Sequence, residues 1–277
     1  MGSVLPARKD FDNLIDTDFK SLRKYCDEVY GELTVLEDRR TKLQYALLQQ
    51  TIDDPDRFEQ MLTELQQHPH DNVLKLQRWM AARQDICSLA KRYWLIVEYH
   101  ENSLEKEIQQ RQELQNYFKK NDLLSLYYQF SSIVLHFRQR PSHLPISNKL
   151  IVLTRRFWLK VLEPEVHDRR SHVFFELPVS DDPDRANIFL APEVLARLER
   201  RQPMEAEELN LTDKARVFTL GVCFLEQAML TDCSTVYNFE AFQLDYDKLQ
   251  ELMHFTRNIY SEDIFNLLDQ MLKYQPE

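Results

Sequence analysis

The sequence predicts an α+β fold in which a small mixed β/α lobe is followed by a mainly helical lobe. Most of the short apolar stretches with strand-like spacing lie in the first hundred residues, whereas long amphipathic stretches with helical spacing dominate beyond His100. With 277 residues, of which 43% are hydrophobic, the chain can bury a large core in one domain or in two small packed lobes. The order of the patterns favours two lobes.

The first hundred residues contain one leading helical pattern, a hairpin, a second helix and further apolar runs. Apolar residues recur at helical spacing from Asp10 to Tyr25, and Asp54-Pro55-Asp56 is a start signal for a helix at Arg57–Gln67. The hairpin is predicted around the polar turn Asp38–Lys42. The strand-like runs are Leu33–Leu36, Leu43–Leu48, Val73–Leu76 and Tyr93–Tyr99.

The rest of the chain is predicted to be helical apart from one hairpin and one loop. The hairpin pairs Leu150–Leu153 with Phe157–Val161, and a polar loop punctuated by prolines follows at 164–188. The predicted helices are Leu104–Phe118, Asp122–Arg138, 192–201, 212–229, 246–257 and 261–274.

Composition disfavours several classes of function. The net charge of −10 disfavours nucleic-acid binding, which needs a basic surface. No run approaches the roughly 18 apolar residues of a membrane span, and the first residues lack a secretory signal, so we expect a soluble, cytoplasmic protein without membrane insertion. The cysteines form no CxxC pair, which gives no basis for a disulfide framework or a zinc site. They are Cys26, Cys87, Cys223 and Cys233. Other proteins are the expected partners.

Glycine is scarce, and this limits the chemistry further. The chain contains only Gly2, Gly31 and Gly221. Loops that cradle phosphates use several closely spaced glycines, because backbone N–H groups must approach the anion without side chains in the way. The count therefore excludes a Walker loop and a dinucleotide fingerprint.

Two segments in the second half carry a family resemblance. Phe189–Leu195 contains Ala-Pro-Glu, and Arg216–Val222 is followed by the helical residues Cys223–Glu226. Together they resemble the end of the activation segment and the central large-lobe helix of eukaryotic protein kinases. Weaker matches follow the family order in the small lobe. Tyr30–Leu33 with Thr34–Asp38 resembles the first two strands, His68–Leu76 the turn and strand after the small-lobe helix, and Val97–His100 the strand that ends at the interlobe hinge.

The resemblance implies a bilobal protein kinase-like fold preceded by an N-terminal helical extension. The extension comprises residues 1–27, the small lobe 28–100 and the large lobe 101–277. In the family, the Ala-Pro-Glu glutamate pairs with an arginine beyond the last helices, and this chain stops just before that segment. We expect either that Glu193 is served by Arg197 or Arg200, or that the large lobe is shortened at its C-terminal end.

The same resemblance implies that the catalytic set has been lost. Leu48 stands where the family has its phosphate-binding lysine, Leu144 where it has the catalytic aspartate, and Lys149 where it has the metal-binding asparagine, with Asn148 one residue away. Three further positions are changed or displaced. The helix glutamate maps to Gln60, or to Glu59 if the register slips by one; Asp-Phe-Gly maps to Glu163-Pro164-Glu165; the aspartate of the central helix maps to Arg216.

These losses predict a pseudokinase, with no catalytic, cofactor-binding or metal-binding residues, that serves as a scaffold in a larger protein assembly. The segments Tyr30–Leu33 and Glu98–Ile108 resemble the kinase families of ciliated protists, which implies a cytoskeletal or ciliary assembly. Nucleotide is not an expected ligand, because Leu48 replaces the phosphate-binding lysine; if Leu48, Leu144 and their neighbours fill the cleft, adenine has nowhere to sit. The alternative is a nucleotide-sensing pseudokinase, in which the hinge at Glu98–His100 still accepts adenine and Glu163 retains affinity for a metal. An active kinase or hydrolase would require a catalytic set that the sequence does not display.

Overall fold

The structure is a computed structural model that describes residues 17–27, 29–82, 90–138, 147–163, 166, 189–200, 213–238 and 241–273. The chain divides into two compact units. Unit 1 comprises Met1–Asn102 and Val152–Ser171, and unit 2 comprises Ser103–Ile151 and His172–Glu277. Strands and helices are both abundant, which confirms the α+β class.

Unit 1 is built on a five-stranded antiparallel sheet with the order β1-β2-β3-β5-β4. One helix, α1 (Pro55–Gln67), lies between β3 and β4 in the chain. The strands are β1 (Phe19–Asp27), β2 (Gly31–Asp38), β3 (Gln44–Ile52), β4 (Leu76–Ala81) and β5 (Lys91–Glu98). The predicted hairpin is confirmed as β2 and β3, and its turn is held by Asp38, whose Oδ1 accepts the N–H groups of Arg40 and Thr41 at 2.8 and 2.7 Å.

The leading-helix prediction is wrong over Phe19–Tyr25, which belongs to β1. Residues 10–16 of that prediction lie outside the described residues. β1 is an edge strand on which Phe19 alone is buried, so its sequence lacks the alternation by which a half-buried strand is recognised. The assignment of the first two strands to Tyr30–Asp38 is also wrong. That segment forms a turn and then β2 alone, because the first strand is β1.

Helix α1 covers one face of this sheet. Asp54 caps the helix by accepting the N–H of Arg57 at 3.2 Å, and Pro55 begins the first turn, as the start signal predicted. Phe58, Met61 and Leu62 are buried, and the Phe58 ring meets Tyr93 edge-on at 4.9 Å. Burial of each such side chain stabilises the unit by roughly 1.5–3 kcal/mol. This face therefore forms the main core of unit 1, which includes Leu48.

The predicted second hairpin is confirmed with shorter strands, β6 (Ile151–Leu153) and β7 (Leu159–Val161). Within unit 1, β7 is fastened to the segment before β4. The Asn72 side chain donates to the carbonyl of Leu159 at 2.8 Å, and Leu74 N–H donates to the carbonyl of Val161 at 2.9 Å.

Unit 2 is mainly helical, and its predicted helices are confirmed with small shifts in their ends. They are α2 (Leu104–Glu113), α3 (Lys120–Phe137), α4 (Pro192–Glu199), α5 (Asp213–Met229), α6 (Tyr246–Ile259) and α7 (Glu262–Leu272). A short strand pair, β8 (Tyr237–Asn238) and β9 (Gln243–Leu244), precedes α6. Helix α2 ends before the predicted Phe118, and Gln115, two residues past its end, has a φ of 49°.

Helix α5 is the centre of unit 2 and is buried along nearly its whole length. Gly221 lets it approach α7 closely, because a Cβ there would lie 2.8 Å from Leu272 Cδ2 and 3.0 Å from Met271 Cβ. No helix within the described residues is both long and apolar enough to cross a membrane.

Candidate functional site

The hydroxyl of a buried tyrosine bonds to the backbone of the segment at the end of β5. Tyr30 lies in the turn between β1 and β2 and is 2% exposed. Its hydroxyl donates to the carbonyl of Glu98 at 3.3 Å and accepts the N–H of His100 at 3.0 Å. A phenol has one donor and free acceptor positions, so a single oxygen satisfies both backbone groups. The hinge segment predicted at Glu98–His100 therefore already has an occupant from the chain itself.

Local structure fixes Tyr30 in this position. Oδ1 of Asp27 accepts the N–H groups of Val29 and Tyr30 at 2.8 and 3.3 Å, which ties the turn to the end of β1. Gly31 follows with a φ of 71°, a conformation that glycine adopts without strain. The Tyr30 ring lies 5.6 Å from that of Tyr99, and burial raises the pKa of its hydroxyl well above 10. The hydroxyl is therefore a neutral donor and acceptor at ordinary pH.

The Glu98 side chain forms a second, charged cluster beside this bridge. Its carboxylate meets Lys160 Nζ at 2.6 Å and His100 Nε2 at 2.8 Å, and it accepts the N–H of Lys75 at 3.3 Å. Burial alone would raise the pKa of Glu98, but these donors, His100 first and Lys160 second, lower it to about 2. Glu98 is therefore an anion that is already paired.

The position assigned to the phosphate-binding lysine is fully apolar. Leu48 is 0% exposed and belongs to the main core of unit 1. The two candidates for its helix partner differ in their contacts. Gln60 is exposed, and its side-chain amide donates to Glu64 of the same helix at 3.1 Å. Glu59 instead meets Lys91 at 2.7 Å and the hydroxyl of Tyr93 at 2.8 Å. The carboxylate on α1 is thus paired with a cation from β5, which the sequence analysis did not identify.

The remaining position of unit 1 named in the sequence analysis is the segment that begins at Glu163. Glu163 is 2% exposed, and its carbonyl accepts the N–H of Val166 at 2.9 Å. Pro164 and Glu165 lie outside the described residues. Across the part of the chain that the structure describes, no group of three or more His, Cys, Asp or Glu side chains is arranged to hold a metal ion.

In unit 2, Asn148 has a structural environment. It is 0% exposed and donates to the carbonyl of Cys223 at 3.0 Å and to the carboxylate of Glu226 at 2.7 Å. Its own oxygen accepts from Gln227 at 2.8 Å, and the other oxygen of Glu226 accepts the N–H of Cys233 at 3.2 Å. Asn148 therefore joins the segment before β6 to helix α5.

The other predicted positions of unit 2 are only partly described. Leu144 lies outside the described residues, and Lys149 follows Asn148 in a single 3-10 turn. Arg216 lies 3.8 Å from Asp213 at the start of α5, where the family has an aspartate. The Ala-Pro-Glu segment begins α4, with Glu193 exposed in its first turn, and the carbonyl of Leu190 accepts the hydroxyl of Tyr237 at 3.1 Å.

Tyr30 belongs to the segment Tyr30–Leu33 of the resemblance, which assigns it no role. Its partners lie 68 and 70 residues further along the chain, so no local pattern reveals the bridge. The one available signal was a tyrosine immediately before Gly31, where the family has a glycine-rich loop. No family model matches this chain, and no curated protein matches it either.

Proposed function

We propose that this chain is a degenerate protein kinase-like domain that acts as a scaffolding subunit of a larger protein assembly and transfers no phosphoryl group. The sheet order of unit 1, with one helix between β3 and β4, supports the small lobe implied by the resemblance. The helical unit 2, with Ala-Pro-Glu at the start of α4, supports the large lobe. These features support the proposed fold, and the contacts at the predicted site support the proposed loss of activity.

The observation that carries the proposal is the Tyr30 bridge. An adenine ring bound at the hinge would require the carbonyl of Glu98 and the N–H of His100, and both are engaged by one buried hydroxyl. A nucleotide would have to displace a side chain that is 2% exposed, and Leu48 would give its phosphates no cation. Removing a buried aromatic ring costs on the order of 3–5 kcal/mol, which is enough to abolish weak binding.

Thermal unfolding with millimolar ATP and Mg²⁺ tests the inactive state. We expect the midpoint of the wild-type chain to change by less than about 1 °C, because a ligand that does not bind the native state cannot stabilise it. The Tyr30→Ala variant, compared with its own midpoint without nucleotide, isolates the contribution of the bridge. A magnesium-dependent rise of several degrees in the wild type would contradict the proposal and favour nucleotide sensing.

The scaffolding role is tested by isolation of the native assembly. A tagged chain is expected to remain with fixed protein partners, in constant ratio, through washes with ATP and moderate salt, and to fractionate with the cytoskeleton or cilium. Recovery as a free monomer in the soluble fraction would overturn this part of the proposal, whatever the outcome of the nucleotide experiment.

A further inference from the structure

Unit 1 contains a polar cavity of about 340 Å³ formed by the start of β1, the turn between β2 and β3, and β4. Three arginines line it, Arg39, Arg40 and Arg78, together with Asp18 and Asp38. The cavity thus carries one more cation than anion, in a chain whose net charge is −10. The excess of cations is therefore local, in a chain that is acidic overall.

The three guanidinium groups are engaged to different degrees. Arg78 Nη1 is paired with Asp18 at 3.0 Å, and Arg39 Nε donates to the carbonyl of Phe19 at 2.9 Å. Among the described residues, neither the terminal nitrogens of Arg39 nor the guanidinium of Arg40 has a hydrogen-bond partner, although the charge of Arg40 helps to lower the pKa of the nearby Asp38. Both guanidinium groups therefore keep hydrogen-bond donors for a ligand.

The two carboxylates of the cavity are already committed. Asp18 is paired with Arg78. Asp38 accepts the N–H groups of Arg40 and Thr41, and these bonds, with the Thr41 N–H contributing most, hold the pKa of Asp38 below its usual range. Asp38 stays ionised but is bound to the turn, so it stabilises the loop that presents Arg39 and Arg40.

The frame of the cavity is held in place by the backbone. Arg39 N–H donates to the carbonyl of Asp18 at 2.9 Å, and Asp38 N–H donates to the carbonyl of Leu43 at 2.9 Å. Arginine on a fixed loop loses less entropy when it binds than arginine on a mobile one. The ring of Tyr45 supplies an aromatic wall, and it meets Phe19 edge-on at 5.8 Å.

The geometry points to a binding site for a phosphomonoester in this cavity, with the phosphate held between Arg39 and Arg40 and the organic group against Tyr45. Guanidinium groups match the oxygens of phosphate in pairs, and a dianion uses the unused donors of both arginines. The cavity is larger than a phosphate ion, so space remains for the group that carries it. The ligand is either a phosphorylated side chain of a partner protein or a small phosphorylated metabolite.

Titration calorimetry of the full chain at constant ionic strength tests the site with two probes, O-phosphotyrosine and glucose 6-phosphate. Tyrosine and glucose serve as the matched neutral compounds. We expect a phosphate-dependent dissociation constant near or below millimolar for at least one probe. Stronger binding of O-phosphotyrosine identifies the protein source, and stronger binding of glucose 6-phosphate identifies the metabolite.

The variants Arg40→Gln and Arg39→Gln should each weaken binding about tenfold, since each removes charge-assisted hydrogen bonds. Arg40→Gln is the decisive variant, because the arginine side chain is exposed and its loss leaves the fold intact. Arg92→Gln removes the same charge from β5, outside the cavity lining, and should change the affinity less than twofold. Binding equal for phosphorylated and neutral probes, or equal in wild type and Arg40→Gln, would overturn the assignment. No outcome depends on whether the chain is a pseudokinase.

Discussion

Glu98 in unit 1 and Glu226 in unit 2 are both substantially buried glutamates that accept several hydrogen bonds, yet they differ in charge behaviour. The pKa of Glu98 is lowered to about 2, and that of Glu226 is raised to about 7. Burial raises both values, but Glu98 accepts hydrogen bonds from His100 and from the cation Lys160, and its side chain remains 25% exposed. Within the described residues, Glu226 has the amide of Asn148 and the N–H of Cys233 to offset its burial.

Glu226 shows that hydrogen bonds from neutral amide groups do not by themselves keep a buried carboxylate ionised. Neutral dipoles offset part of the desolvation at Glu226, whereas the bonds from His100 and Lys160, with the charge of Lys160, more than offset it at Glu98. The charges of Glu105 and Asp232 raise the pKa of Glu226 further. Unit 2 therefore keeps a carboxyl that changes its protonation state near neutral pH, and unit 1 does not do so at Glu98.

The largest expected effect comes from breaking the network around Glu226. Asn148→Ala removes both donors and the acceptor of that side chain, leaving the carbonyl of Cys223, the amide of Gln227 and one carboxyl oxygen without these bonds. We expect a loss of about 3–5 kcal/mol in the free energy of unfolding, measured by denaturant titration. Asn258→Ala, at an exposed position on α6, is the matched control. A loss below about 1 kcal/mol for Asn148→Ala would show that the network is unimportant.

The next effect is a pH dependence that belongs to Glu226. Its pKa is higher in the folded state than the ordinary value of 4.5, so the folded state binds more protons between pH 4.5 and about 7. The stabilisation is complete below that window and is lost as pH rises through it, a change of about 3 kcal/mol. Glu226→Gln should abolish this decline in unfolding titrations from pH 5 to 8. Glu251→Gln, at an exposed position, should preserve it, and an unchanged decline in Glu226→Gln would contradict the comparison.

A smaller effect is expected at the neutral bridge of unit 1. Tyr30→Phe keeps the buried ring but leaves the carbonyl of Glu98 and the N–H of His100 unsatisfied, which costs about 2 kcal/mol. Because the tyrosine hydroxyl does not ionise below pH 10, this loss should be the same at pH 6 and pH 8. Tyr128→Phe, at an exposed position on α3, should change stability by less than about 0.5 kcal/mol. A loss that varies with pH would assign the effect to another group.

The smallest expected effect is the acid-side loss of stability that belongs to Glu98 in unit 1. The folded pKa of Glu98 lies below 4.5, so its stabilisation is present above that pH and is lost as pH falls towards 2. After allowance for solvent screening we expect about 1 kcal/mol, and Lys160→Gln should remove much of it. A double-mutant cycle with Glu98→Gln measures the pair directly. A coupling energy near zero would show that Lys160 does not keep Glu98 ionised.

Much of the fold was predictable because its signals are local. The hairpin of β2 and β3 follows from alternation around the turn at Asp38, and α1 follows from its cap at Asp54. β1 was missed because its residues are mostly exposed, and its place in the sheet is decided by pairing with β2 rather than by burial. An edge strand of this kind has no periodicity by which it is recognised.

The site was less predictable, because its contacts join distant parts of the chain. The burial of Leu48 is expected of an apolar side chain. The ion pair of Glu59 with Lys91, by contrast, joins residues that lie 32 positions apart in the chain. Asn148 was noted as a neighbour of a lost metal ligand, whereas its partners Cys223 and Glu226 lie 75 and 78 residues away. Side-chain burial and long-range hydrogen bonds arise only when the chain has folded.

Two buried cysteines in unit 2 can report how fast that unit opens, because their thiols react only when they become exposed. Cys223 and Cys233 are fully enclosed, and burial raises the pKa of both thiols, whereas Cys26 on β1 is exposed. Alkylating reagents attack the thiolate, so Cys26 should be modified at once and the enclosed pair only when unit 2 opens. Site-resolved mass spectrometry of iodoacetamide labelling would then time the excursions of α5 and its neighbours in the native protein, without any engineered probe.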